Sequence, residues 1–184
     1  TGWNCKFFDI PYLVNRMNCL GKKSSRLSPV GLVNERNVFI AGRENQYYTV
    51  FGISTLDYID LYKKFTYKVR ESYRLDYIGS VELGLRKVDV GDVQGYDLYK
   101  TNYQKFIEYN IRDVEIVEKL EEKMKLLELV ITLAYESKIN FEDVFSPVRT
   151  WDAIIYNFLK KKNIIIPQQQ IVEERKEIVG AYVK

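Results

Sequence analysis

The clearest β pattern in the chain is an alternation of apolar and polar positions between residues 37 and 54. Two β-rich runs, 38–40 and 47–51, flank a short connection that contains Gly42. Such runs around a short glycine-containing turn predict a β-hairpin at about residues 37–52, with Arg43 at its tip. The alternation continues over residues 53–61, so a further strand is predicted there.

Helical periodicity is strongest between Thr101 and about Ser137, where we predict one long helix. Its first half has two apolar strips, and Asp113 falls in the second strip, one turn after Tyr109. The strips are Ile107, Ile111, Val114 and Val117, and Phe106, Tyr109, Ile116 and Leu120. Because two sides are apolar, we expect the helix to be sandwiched and Asp113 to face protein or a cleft.

Shorter helices are predicted towards both ends of the chain. Pro11 suits the first helical position of a helix that ends near Gly21, and residues 3–10 before it indicate a short buried strand or a strand-to-helix junction. The pair Ser146-Pro147 is a start signal for a helix near the other end.

Composition limits the chemistry that the chain can perform. Among 184 residues there is no histidine, which excludes imidazole acid–base catalysis and histidine-ligated zinc. The net charge of +3 supports a nucleic-acid partner only weakly. Cys5 and Cys19 form no ligand-like cluster, so we interpret both as packing residues of a protein from a reducing compartment. The apolar runs are short, and neither a signal peptide nor a membrane span is predicted.

The first eleven residues place Asp9 among aromatic and apolar neighbours, where a solvated surface acid is not expected. Asp9 therefore needs a cation or a set of donors as its partner. With Asp113 and the nearby Tyr109 it suggests a site for Mg²⁺ or Mn²⁺, which prefer oxygen ligands. On spacing alone, Asp113 is equally well a capped or paired structural acid. The competing acids are Asp57, Asp60, Asp76, Glu82, Asp89 and Asp92.

Two short motifs resemble those of family B DNA polymerases, most of all the polymerases of large tailed bacteriophages. Asn4, Phe8 and Asp9 resemble the second exonuclease motif, an asparagine and then an aromatic residue directly before an aspartate. Tyr109 and Asp113 resemble the third motif, Tyr-x-x-x-Asp. Further segments that look like this subgroup follow in the same order at residues 56–65, 145–155 and 180–184.

The resemblance implies a role in proofreading by a replicative DNA-directed DNA polymerase. The fold would be α/β, an incomplete ribonuclease H-like 3′→5′ exonuclease domain with a protruding hairpin, followed by a helical linker segment. Nucleotides would be removed by phosphodiester hydrolysis with two Mg²⁺ or Mn²⁺ ions. Asp9 and Asp113 would be metal ligands and catalytic residues, and Tyr109 would orient the attacking water.

The resemblance also implies DNA contacts and partners. Asn4 and Phe8 would contact the single-stranded 3′ end of the primer, and Arg43 would contact a phosphate or base at the hairpin tip. The hairpin would help to separate the primer end from its template. A longer parent protein would bind a primer–template, a sliding clamp and replisome proteins in the cytoplasm, that of the host cell if the protein is viral, and would be neither secreted nor membrane-bound.

The resemblance divides the chain into three parts. Residues 1–125 would be the C-terminal part of the exonuclease domain, 126–168 a helical segment returning towards an N-terminal domain, and 169–184 the linker and the start of the polymerase palm. The family's first exonuclease motif, an Asp-x-Glu pair, would lie before Thr1. Without that pair the isolated segment is expected to bind metal weakly or not at all and not to hydrolyse DNA appreciably.

Two other functions fit the same residues. One is a non-catalytic module of the same fold that binds single-stranded DNA, for which binding would be salt-sensitive and independent of metal. The other is an unrelated ribonuclease H-like nuclease.

Overall fold

The computed structural model describes residues 1–40, 42–85 and 95–166, which contain seven α-helices and one antiparallel pair of strands. The α/β class is confirmed at this level. Asp89, Asp92 and the 169–184 segment lie outside the described residues. The elements are α1 (Asp9–Cys19), β1 (Val33–Ile40), β2 (Arg43–Val50), α2 (Tyr58–Phe65), α3 (Leu75–Leu83), α4 (Gly95–Thr101), α5 (Tyr103–Met124), α6 (Leu126–Ser137) and α7 (Pro147–Lys161). Two short 3₁₀ turns are Ser24–Leu27 and Phe141–Phe145.

Strands β1 and β2 form the predicted hairpin, which begins earlier than expected, at Val33. The register pairs Val33 with Val50 at the base and Ile40 with Arg43 at the tip. Gly42 has φ +75° in the turn, a left-handed conformation that glycine adopts without strain. The placement of Arg43 at the tip is therefore confirmed.

The strand predicted over residues 53–61 is wrong, because helix α2 begins at Tyr58. Asp57 precedes it and accepts a hydrogen bond from the Ile59 backbone N–H at 3.2 Å, as an N-cap residue does. The alternating apolar positions also fit helical spacing, since Tyr58, Leu61 and Tyr62 all lie fully buried on one face. The Asp57 cap therefore favours the helical period over the strand period in this segment.

The hydrophobic core lies where α2, α3, α5 and α6 meet. Ile116 and Leu120 of α5 are fully buried in it. Helix α3 approaches α5 closely at Gly79, where a Cβ atom would lie only 3.0 Å from Cγ2 of Ile116. The absence of a side chain at Gly79 therefore lets the two helices pack around Ile116.

The single long helix predicted from Thr101 to Ser137 is also wrong, because the chain turns at Lys125 between α5 and α6. Lys125 has φ +53°, a left-handed conformation that ends α5. The carboxylate of Glu121 then accepts backbone N–H bonds from Leu127 at 3.1 Å and Glu128 at 3.3 Å in the first turn of α6. It also accepts the buried Tyr58 hydroxyl at 3.0 Å, which links α2 to the junction.

The expectation that α5 is sandwiched is wrong for the described part of the chain. Ile116 and Leu120, from one strip, are fully buried, whereas Ile111 and Val114, from the other, are 53% and 67% exposed. Helix α5 packs mainly on α3 and α4. The described helices therefore bury Ile116 and Leu120 of one strip, whereas of the other strip they leave Ile111 and Val114 exposed and pack only Val117 partly against the core.

Both predicted terminal helices are present. Helix α7 begins at Pro147, and the Ser146 hydroxyl caps it by accepting from the Arg149 N–H at 3.5 Å. Helix α1 begins at Asp9, two positions before Pro11. In the part of the chain that the structure describes, none of the helices combines the length and apolar character needed to cross a membrane.

Candidate functional site

The segment of residues 2–8 is joined to the start of α2, although more than fifty positions separate them in sequence. Gly2 forms a parallel β-bridge with Asp57, and the Tyr58 N–H donates to the Gly2 carbonyl at 2.8 Å. The indole N–H of Trp3 donates to the Tyr73 carbonyl at 3.1 Å. The segment therefore lies against the core rather than forming the short strand that the sequence allowed.

The buried carboxylate of Asp57 binds this segment through hydrogen bonds from its backbone. Asp57 is 2% exposed, and its two oxygens accept backbone N–H bonds from Asn4 at 2.8 Å and Lys6 at 3.0 Å. Together with the cap bond from Ile59, these donors compensate the burial of the charge. Sequence reasoning placed Asp57 only among the competing acids, and its one signal was an aspartate directly before a helical apolar pattern.

The turn that Asp57 holds leads directly into α1. Asn4 has φ +64°, a left-handed conformation that asparagine tolerates better than most residues. Its carbonyl accepts from the Phe8 N–H at 3.1 Å, and the Cys5 carbonyl accepts from the Ile10 N–H at 3.0 Å. This turn thus brings together Asn4, Phe8 and Asp9, in agreement with their close spacing in the sequence.

Asp9 is exposed in the first turn of α1, which contradicts the expectation that it is held among apolar neighbours. Phe8 is also 67% exposed, so the aromatic residue before Asp9 does not cover it. The prediction that Asp9 is buried failed because Pro11 and Val14, rather than Phe8, form the buried face of α1. An exposed carboxylate at a helix N-terminus is favourably placed for the helix dipole and open to a ligand.

The two cysteines differ in environment, so the prediction that both pack is confirmed only for Cys5. Cys5 is 8% exposed, whereas Cys19 is exposed at the end of α1. Burial, and then the nearby charge of Asp57, raise the pKa of the Cys5 thiol to about 12. At neutral pH the Cys5 thiol is therefore protonated and unreactive.

Tyr109 and Asp113 lie one turn apart on α5, as their spacing predicts, and both are half-buried. The Oδ1 atom of Asp113 is shielded from solvent. One residue earlier, Arg112 forms an ion pair with Glu115 at 3.0 Å. Asp113 thus occupies the boundary between the buried and the exposed side of the helix.

The described residues do not assemble a complete metal site. Across residues 1–40, 42–85 and 95–166, no group of three or more His, Cys, Asp or Glu side chains is placed to hold a metal ion. Helix α1, with Asp9, packs on β2, whereas α5, with Asp113, packs mainly on α3 and α4. Two carboxylates alone are fewer than a two-metal centre requires, so a metal-dependent reaction would need additional ligands.

The environments of the competing acids Glu82 and Asp60 are set by their neighbours in the core. Glu82 forms an ion pair with Arg70 at 2.5 Å and accepts the Tyr62 hydroxyl at 2.7 Å. Burial raises the pKa of Glu82, but the bonds from Tyr62 and Arg70 outweigh it and lower the pKa overall. The pKa of Asp60 is raised by burial and then by the charge of Asp57. The ion pair and hydrogen bond of Glu82, and the backbone hydrogen bonds of Asp57, account for these two residues as structural acids.

A basic pocket of about 690 Å³ lies between the hairpin, α2 and the 3₁₀ turn Phe141–Phe145. Its charged lining comprises four cationic and two acidic side chains, Lys6, Arg36, Lys63 and Lys64, and Asp60 and Glu142. Aromatic rings complete it, and the Lys6 ammonium lies 4.8 Å from the centre of the Tyr47 ring. Cations interleaved with aromatic rings are typical of surfaces that bind single-stranded nucleic acids.

Comparisons with known proteins agree with the resemblance to family B DNA polymerases. Residues 1–78 match the sequence family described as "DNA polymerase family B, exonuclease domain". The chain is 45% identical over 91% of its length to the DNA-directed DNA polymerase of Escherichia phage RB69, and 40% identical over 92% to that of Enterobacteria phage T4. DNA polymerase 1 of Sulfolobus acidocaldarius is 29% identical over 89% of the chain. The matched region spans 19% of each phage polymerase.

Proposed function

We propose that this chain, whose residues 1–78 match the exonuclease-domain family of family B DNA polymerases, is part of a proofreading 3′→5′ exonuclease within a replicative DNA polymerase. The observation that supports this most is the exposure of Phe8 and Asp9 on the turn fixed by Asp57, within the matched residues. A solvent-accessible carboxylate beside an exposed ring suits a nucleic-acid end.

The proposed roles follow the two motifs. Asp9 and Asp113 would each give carboxylate oxygen to Mg²⁺ or Mn²⁺, and the remaining ligands would come from an Asp-x-Glu pair elsewhere in a longer chain. A bound divalent ion would supply the charge stabilisation that phosphodiester hydrolysis needs. The Tyr109 hydroxyl would orient the water, Asn4 and Phe8 would hold the terminal nucleotide, and the hairpin tip would contact DNA through its arginine.

The wider assignments are part of the same proposal. Helices α1 to α5 and the hairpin would belong to a ribonuclease H-like domain that ends near residue 125, and residues 126–168 would return towards an N-terminal domain. The segment 169–184 would begin the palm. The parent would act in the cytoplasm, that of the host cell if the protein is viral, with a primer–template, a sliding clamp and replisome proteins as partners.

The direct test restores the acidic pair. A protein that joins this sequence to an upstream Asp-x-Glu segment is expected to shorten a 5′-labelled single-stranded oligonucleotide from its 3′ end in the presence of Mg²⁺, because the ligand set is then complete. Denaturing electrophoresis of the products gives the rate. Added EDTA should stop the reaction, and a 3′-terminal phosphorothioate should slow it.

The opposite outcome is equally clear. If the joined protein folds, retains Asp9 and Asp113, and leaves the oligonucleotide intact with either Mg²⁺ or Mn²⁺, the exonuclease proposal is wrong. Shortening from the 5′ end or internal cleavage would instead favour an unrelated nuclease.

A second function, binding of single-stranded DNA without catalysis, is favoured by the basic pocket. Replacing Arg36 and Lys64 by glutamine is expected to weaken binding of a fluorescent oligonucleotide and to flatten the plot of log K against log salt by roughly 0.7 for each phosphate that is no longer neutralised. Fluorescence anisotropy in EDTA at several salt concentrations measures both quantities. The matched control replaces Lys160 and Lys161, exposed lysines of α7, by glutamine. Equal slopes of log K against log salt for the two double variants would show that the pocket does not bind the DNA.

A further inference from the structure

We propose that Asp57 is the positioning residue of the exonuclease site, whose carboxylate fixes the turn from which Phe8 and Asp9 project. The proposal rests on the proposed function, because it assigns Asp57 a task in that reaction. Asp57 lies outside both exonuclease motifs. It acts through the backbone of residues 2–8 and does not itself touch the substrate.

The first step of the argument is the bonding pattern. Both oxygens of Asp57 are used, Oδ1 by the Asn4 N–H at 2.8 Å and Oδ2 by the Lys6 N–H at 3.0 Å. Alternate backbone donors of one tight turn thus converge on a single carboxylate. A pair of charge-assisted bonds to two fixed positions sets the orientation of the turn as well as its distance.

The second step is the rigidity of the support. Asp57 is the N-cap of α2, and the next residue, Tyr58, is fully buried and donates its backbone N–H to Gly2. The side chains of Leu61 and Tyr62 fix α2 in the core. The turn is therefore bonded to a helix whose inner face is fully buried in the core.

The third step is the path from the turn to the site. The carbonyl of Asn4 accepts from the Phe8 N–H, and that of Cys5 accepts from the Ile10 N–H. The Cys5–Lys6 peptide, whose N–H Asp57 holds, and the peptide before it therefore accept the bonds that lead into α1. Asp9 lies between these two bonds. A shift of the turn would therefore displace the Asp9 carboxylate, and a misplacement of about 1 Å can lower a rate roughly a hundredfold.

The variant Asp57→Asn separates positioning from helix capping. Asparagine caps a helix about as well as aspartate, so α2 should keep its first turn. Its amide group, however, offers only one acceptor oxygen and places an NH₂ where the second backbone N–H needs an acceptor. One of the Asn4 and Lys6 N–H bonds must then break.

The first measurement needs no activity. Amide hydrogen exchange of the 184-residue chain, followed by NMR, is expected to speed up at least about tenfold for Phe8 and Ile10 in Asp57→Asn, with the α2 amides still protected. Asp152→Asn, an identical change at an exposed position of α7, should leave these amides as they were. If exchange changes only at Asn4 and Lys6, Asp57 does not position the start of α1.

The second measurement uses the nuclease-competent protein that carries the upstream acidic pair. Asp57→Asn is expected to lower kcat about a hundredfold, to leave KM for the oligonucleotide nearly unchanged and to raise the Mg²⁺ concentration for half-maximal rate. Full kcat with an altered turn would overturn the positioning role and leave the exonuclease proposal intact. An inactive wild type would overturn the proposed function and this role with it, while the exchange measurement still determines whether Asp57 holds the turn.

Discussion

Replacing Asp113 by asparagine in the nuclease-competent protein is expected to lower kcat at least about a thousandfold, a loss of ~4 kcal/mol of transition-state stabilisation. Asparagine keeps the size of the side chain but removes the charge that a hard cation requires. Asp113 lies at the edge of the buried face of α5, so the isosteric change should leave the fold intact. Product release from a 5′-labelled oligonucleotide measures the rate, and circular dichroism measures the fold.

The matched control is Glu118→Gln, which also removes one carboxylate charge from α5 but at an exposed position. It should retain nearly the full rate. A similar rate for Asp113→Asn and the control would show that Asp113 is a structural acid, the alternative that its spacing left open. Unfolding of Asp113→Asn at the assay temperature would point to the same structural role.

The largest effect on stability is expected from Ile116→Ala, which should lower the free energy of unfolding by about 2–5 kcal/mol. Ile116 is fully buried and fills the close approach of α3 to α5 at Gly79. Truncating it removes apolar contacts and leaves a cavity that the glycine cannot fill. Urea unfolding of the 184-residue chain, followed by circular dichroism, measures the change.

An identical substitution elsewhere on the same helix supplies the control. Ile111 is 53% exposed, so Ile111→Ala should cost less than about 1 kcal/mol. Equal losses for the two variants would mean that the apolar strip containing Ile111 and Val114 is covered in solution. Such a result would contradict the packing of α5 described above and agree with the sandwiched helix that the sequence predicts.

The sequence predicted those parts of the fold that depend on local signals. The hairpin follows from alternation around Gly42, and α7 follows from Ser146-Pro147, because turn and cap residues act over a few positions. The start of α2 was missed, since residues 53–61 satisfy both periods. The Asp57 cap, which is local, favours the helix, whereas the bonds of its carboxylate to Asn4 and Lys6 are long-range, and no local pattern contains them.

Sequence spacing predicted where the candidate residues lie on their helices but not how exposed they are. Spacing placed Tyr109 one turn before Asp113, and both lie on α5 as expected. Exposure could not be read in the same way, because the buried face of α1 depends on which side meets β2. The break at Lys125 was missed for a similar reason, since lysine is a good helix former and the junction relies on the distant Tyr58 hydroxyl.

The bridge between Gly2 and Asp57 brings the two ends of the intervening segment together at one point of the core, so that residues 3–56 form a closed loop. The hairpin lies within this loop, so the length and tip sequence of the hairpin can vary without changing the distance between the two ends of the loop. At the rejoining point, Asp57 fixes the turn before Asp9, while the adjacent Tyr58 bonds to Glu121 on the helix that carries Asp113. The fold therefore tolerates changes in the length of the hairpin, whereas a one-residue insertion at the start of α2 would shift both motifs at once.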